Sequence, residues 1–142
     1  MLRQLLFGGA VSTVNIAIHA LVMMILIQVA RRASNRSKSR ASEHLVLVMI
    51  PTVLVLMATH ASEILVWALA YSLVDATPPD ADRVYFAFVN YTTLGYGDVV
   101  PVKRWNLLGP MTALNGVLLI GWSTAVIFEV LRRALREAGR RP

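Results

Sequence analysis

From Leu5 to Ala30 the chain carries no Asp, Glu, Lys or Arg. A helix rises about 1.5 Å per residue, so this stretch is roughly 39 Å long, enough to cross a hydrocarbon layer of about 30 Å with tilt. Two further apolar blocks follow, Leu45 to Val74 and Leu107 to Leu131, each with a single acidic residue. A water-soluble core would interleave charge with its apolar positions. Here 56% of the 142 residues are apolar and the charges fall between the blocks. That segregation predicts an all-α membrane protein with three spanning helices. No cysteine is present, so neither a disulfide nor a cysteine metal site holds the fold.

The charges set an orientation. Ten of the fourteen Lys and Arg lie in two segments: Arg31, Arg32, Arg36, Lys38 and Arg40, then Arg132, Arg133, Arg136, Arg140 and Arg141. Both segments directly follow apolar blocks, as cytoplasmic flanks do. Asp75, Asp80, Asp82 and Asp98 lie on the opposite side. Three spans with the N-terminus outside and the C-terminus cytoplasmic, in a plasma or inner membrane, satisfy this pattern. A net charge of +6 also suits nucleic acid. Two flanks, however, do not make the basic surface that nucleic acid needs, so no nucleic-acid partner is expected. Anionic lipid headgroups are the expected partners of both segments. A cleaved signal peptide would put its charge ahead of a shorter apolar run. Only Arg3 precedes the first block, which therefore reads as a retained anchor. Arg32, Arg36 and Arg40 have helical spacing but no apolar context, so they read as a solvated loop rather than a voltage sensor.

Between the second and third blocks lies a different element. Pro78 and Pro79 end the preceding helix, and Asp80 is placed to cap the next. Residues 82–92 then form a short aromatic helix, too short to cross a bilayer. Such a helix must be covered by protein, so it reads as re-entrant. It runs into Thr92-Thr93-Leu94-Gly95-Tyr96-Gly97-Asp98. From about Val46 to Arg133 the sequence resembles the potassium-channel pore family, whose signature is Thr-Val-Gly-Tyr-Gly-Asp, with Leu94 where Val or Ile is common. The chain thus divides into an N-terminal helix (1–30), a basic linker (31–44), a pore domain (45–133) and a basic tail (134–142), of which the resemblance covers the pore domain. Within the pore domain it implies an outer helix (45–74), a pore helix (82–92), a filter (93–98) and an inner helix (106–133). It does not cover the first span.

The resemblance further implies that potassium ions are held by the carbonyls of Thr93, Leu94, Gly95 and Tyr96 and by the Thr93 hydroxyl, with Gly97 completing the filter. Carbonyl rings replace the water an ion sheds. Gly95 and Gly97 permit the backbone angles that aim successive carbonyls inward. The C-terminal end of the pore helix, near Thr92, adds partial negative charge. Leu94 and Tyr96 point outward and brace the filter, and Tyr85, Phe86 and Tyr91 supply aromatic packing around it. The resemblance implies a pore built from four filter loops, and one chain carries one, so a homotetramer is expected. Some members pair a pore-helix Glu with the filter Asp. Val89 stands at that position, so Asp98 lacks that partner, and with about ten residues after the last span no regulatory domain is expected there.

Secondary candidates carry two readings each. Gly116 is a gating hinge or a close-packing residue, and Gly121 reads as packing. Ile120, Thr124 and Phe128 recur every four residues and line a cavity or a packing face, with Phe128 at its inner mouth. His60 and Glu63 share a helix face inside the second span. They form an interhelical polar contact with Asn15, His19 or Asn115, or a pH-sensing pair. Glu129 pairs locally with Arg132 and Arg133, or forms a cation-attracting ring. Asn90-Tyr91-Thr92 matches a glycosylation sequon by accident, since it lies in a buried helix. Nothing has the spacing of a nucleophile and its base, so no enzyme is expected. A weakly selective cation channel and a non-conducting membrane subunit are the alternative functions. The intact Tyr96 argues against the first.

Overall fold

The computed structural model describes residues 1–34 and 41–138. The chain is helical: α1 (Leu2–Ser34), α2 (Ala41–Leu73), α3 (Arg83–Tyr91) and α4 (Leu108–Ala138), with one 3₁₀ turn at Lys103–Trp105. Leu2–Val29, Leu45–Leu73 and Lys103–Arg136 are long and apolar enough to cross a membrane. α1 continues through Arg31 and Arg32 to Ser34, and α2 begins at Ala41, so the basic linker is partly helical. Its residues 35–40, and 139–142 of the basic tail, lie outside the described residues. Pro51 lies ten residues into α2, inside the helix.

Sequence separation reveals how the long helices run. Gln4 accepts from the Leu107 amide at 2.9 Å, and Asn15 donates to Asn115 at 3.1 Å. Met23 and Leu26 pack near Val126 and Val130. The paired numbers on α1 and α4 rise together, so these helices are parallel. α2 runs against both, with Glu63 beside Asn15 and Leu56 beside Met23 and Leu26. The C-terminal ends of α1 and α4 therefore share one end of the bundle with the start of α2. The short helix α3 and the loop after it lie at the other end.

Close approach and apolar burial hold this arrangement. A Cβ on Gly8 would meet Met111 Sδ at 2.6 Å, so glycine brings α1 close to α4 there and a larger residue would push the flexible Met111 side chain aside. At the end that holds α3, Trp67, Tyr71, Phe86 and Leu108 are buried together, and Phe7 packs against them. Trp105 joins this cluster through Phe7, with ring centroids 5.6 Å apart, and the Arg3 guanidinium lies 5.2 Å above its ring. The first helix thus packs within its own chain against α2 and α4, a placement its composition leaves open.

α3 is started by Asp82, not Asp80. The Asp82 carboxylate accepts from the amides of Val84 at 2.9 Å and Tyr85 at 3.1 Å. Asp80 is two residues too early for the first turn, because Ala81 closes onto the Pro78 carbonyl. Capping of this kind contributes about 1 kcal/mol. Asp82→Ala should lower the unfolding free energy in mixed detergent–SDS micelles by about that amount, with Asp82→Asn close to wild type.

Candidate functional site

The site is built where α3 ends. Thr92 caps the helix through its backbone amide to Phe88 O. The amide of Thr93 then returns to Asn90 O at 3.0 Å and that of Leu94 to Val89 O at 2.9 Å. These bonds turn the chain sharply back along the helix axis. Beyond the turn the backbone alternates in hand: φ is +60° at Thr93, +59° at Gly95 and +79° at Gly97, whereas Leu94 and Tyr96 are not left-handed. Alternating hand rotates successive peptide planes to face one side, whereas an ordinary strand alternates them. Glycine adopts this conformation freely. Thr93 does not, since a β-branched residue at positive φ is strained by roughly 1–3 kcal/mol.

The loop's side chains stand out from the chain. Leu94 is 53% exposed and Tyr96 68% exposed. Tyr85 is at the loop: its hydroxyl donates to Asp98 Oδ2 at 2.7 Å. This gives Asp98 a partner that the Val89 substitution had removed from view. The hydrogen bond Tyr85 donates to the Asp98 carboxylate, which ionisation would remove, raises the phenol above its ordinary value. The other two aromatic residues expected at the filter turn toward α2. Phe86 packs on Tyr71 with centroids 4.9 Å apart, and the Tyr91 hydroxyl donates to Glu63 Oε2.

Gly116 lies where α4 crosses the end of α3. A Cβ there would fall 2.0 Å from the Tyr91 carbonyl oxygen, a backbone atom that has nowhere to go. The close-packing reading therefore has a specific contact behind it. For Gly121 the packing expectation is corrected within the chain, since a Cβ there meets nothing within 4 Å. Ile120, Thr124 and Phe128 all lie on exposed surface of α4, Ile120 at 41% and Phe128 at 65%. Glu129 is held by Arg132 at 3.0 Å from Nε and by Arg133, a local pairing.

Behind the loop lies a buried polar cluster that joins all four helices. Glu63 Oε1 is 2.8 Å from His19 Nδ1 and its Oε2 is 3.0 Å from His60 Nδ1. Both Glu63 and His19 are fully buried. His60 Nε2 is 2.9 Å from Ser123 Oγ on α4. Asn15 donates to the Glu63 main-chain carbonyl and to Asn115, which also accepts from Trp67 at 3.0 Å. The interhelical reading of His60 and Glu63 is what this geometry contains, with His19 and Tyr91 as direct partners.

A short helix packed against two spans, α2 and α4, and running into a loop of alternating hand, is the architecture of a membrane pore subunit. Residues 45–133 match the sequence model of an ion-channel family, and the chain belongs to that family. It is a multi-pass integral membrane protein and not an enzyme. No curated protein and no solved structure matches it.

Two outcomes follow from this geometry. Gly116→Ala should cost about 1–3 kcal/mol or more of stability by forcing α3 and α4 apart, read by micellar unfolding. Tyr85 should resist ionisation in an alkaline ultraviolet titration of the phenolate band. Its folded value is raised, so the stability it contributes is complete below about pH 10 and is lost as pH climbs through the folded value. Asp98→Asn should bring the titration back toward that of free tyrosine.

Proposed function

We propose that the chain is a potassium-selective channel subunit, four copies of which enclose one pore. The observation that carries this reading is the alternating backbone hand at Thr93, Gly95 and Gly97. It is the condition for the carbonyls of Thr93, Leu94, Gly95 and Tyr96 to face one side. Oxygens so aligned replace the hydration shell of a potassium ion, which is the cargo rather than a cofactor. The strain at Thr93 supports the reading, since a chain keeps such a conformation only where its surroundings enforce it.

The tetramer is supported by what one chain leaves open. A single loop offers one carbonyl per level, and an ion needs a ring. Leu94 and Tyr96, the side chains that would brace the filter, are more than half exposed in one chain. Neighbouring copies would cover them. Ile120, Thr124 and Phe128 would then line the cavity below. The N-terminus lies outside and the C-terminus in the cytoplasm, with the basic ends of α1 and α4 against anionic headgroups.

The test is ion flux into liposomes holding the purified protein. Potassium uptake with sodium excluded is the expected result. Equal flux of both ions would assign a weakly selective cation channel. Gly95→Ala and Gly97→Ala should each abolish selectivity, because both positions are left-handed. Chemical cross-linking in the membrane should stop at four subunits.

A further inference from the structure

We propose that the end of α1 and the start of α2 form a binding site for one anionic phospholipid, with an acyl chain in the groove between the two helices and the headgroup at the basic end of α1. The site deepens the headgroup contact proposed above and does not depend on the conducting role.

The groove is a cavity of about 300 Å³. Its floor is Leu26 and Thr52, both buried, and its rims are Ile25 and Val29 on α1 and Leu47 and Val55 on α2, all exposed. Leu26 backs onto Val126 and Val130 of α4. The lining itself comes from α1 and α2 alone, so the groove opens away from α4. Valine, proline and threonine supply most of its walls, and these side chains are too short to close it. Both walls belong to segments long and apolar enough to cross a membrane. What reaches the opening is therefore hydrocarbon.

Size and chemistry select the occupant. From Val22 to Val29 the groove follows roughly 10 Å of helix axis, which leaves a cross-section of roughly 30 Å². A helix with its side chains is about 10 Å across and needs roughly 80 Å². One hydrocarbon chain fits, and a helix of a second copy does not. Water needs two to four polar partners in such a place. The polar side chain of the lining is Thr52, and its hydroxyl is spent on the Val48 carbonyl at 2.7 Å. An acyl chain needs no partner.

Charge selects the class of lipid. Arg31 and Arg32 follow Val29 by two and three residues on α1. Their positions are roughly 3–5 Å beyond the groove along the helix axis. A phospholipid with one chain in the groove brings its phosphate to that level, and arginine is the residue best suited to phosphate. A second copy in the same membrane brings the same positive end to the same level, so it is repelled where an anionic lipid is attracted. One wall of the site is α1, which precedes the residues 45–133 that match the channel family. The lipid site is thus something the first helix adds to the pore domain.

The experiment uses the full chain in liposomes doped with phosphatidylglycerol that carries a photoreactive diazirine on one acyl chain. Labelled peptides are mapped by mass spectrometry. Labelling should concentrate at 22–29 and 47–55 and saturate as the probe fraction rises. Unlabelled phosphatidylglycerol should displace the probe about tenfold better than phosphatidylcholine of the same chain length. Arg31→Gln should lower that preference about fivefold. Val29→Trp, a change on an exposed rim, should fill the groove and cut labelling about tenfold. Label spread evenly over the exposed residues of all three spans overturns the site. So does a groove that stays unlabelled while the rest of the spans react, which would mean that a second copy covers it. Equal displacement by the two lipids, read on the wild type alone, overturns the anionic class, and an unchanged preference in Arg31→Gln overturns the headgroup position. Labelling is read without ion flux, so failure of the potassium reading and failure of the lipid site are separate results.

Discussion

Hydrocarbon offers no hydrogen bonds, and every main-chain group inside it must find a partner in the protein. α3 is the element on which this constraint falls hardest. Its nine residues cannot cross a membrane, so both ends and the loop beyond must be satisfied at depth. Asp82 takes up the first amides. The carbonyls of Phe88, Val89 and Asn90 are taken up by the amides of Thr92, Leu94 and Thr93. The loop after the filter is tied back as well, with the Val102 amide on the Ala76 carbonyl at 2.9 Å. α2 and α4 are the wall that makes this possible, and Gly116 is where the wall comes close enough to touch the Tyr91 carbonyl.

The same constraint explains the polar residues inside the spans. Asn15, His19 and Glu63 would be costly facing lipid. They face one another instead, and in doing so tie a helix outside the family's matched region into the pore domain. The Gln4 contact with Leu107 and the Gly8 contact with Met111 continue that seam along α4. The extra helix is thus part of the subunit's core rather than a tether beside it. Any force that displaces α1 acts on the same four-helix cluster that supports the end of α3.

Much of this was legible in the chain alone. Apolar blocks longer than a bilayer announce three spans, because hydrocarbon selects on length and charge and little else. The proline pair and the short aromatic stretch announce a re-entrant helix for the same reason. The loop at 93–98 was legible because glycine at Gly95 and Gly97 marks left-handed backbone. Thr93 carries no such mark: its hand is imposed by the turn onto Asn90 and Val89.

What the tertiary structure decided is which distant residues meet. His19 and Glu63 are 44 positions apart, and Tyr85 and Asp98 are 13 apart across a loop. No periodicity within a helix can report a partner on another helix. Asp80 and Asp82 are equally good caps by type, and only the turn at Pro78 to Ala81 chooses between them. Gly116 and Gly121 look alike in sequence, yet one lies against a carbonyl and the other against open space. The sequence by itself determined that the chain lives in a membrane and that its backbone reverses hand at Gly95 and Gly97, because both follow from local composition. The parallel placement of α1 on α4, and the buried Glu63 carboxylate they enclose with α2 and α3, depend on packing between helices and were settled only there.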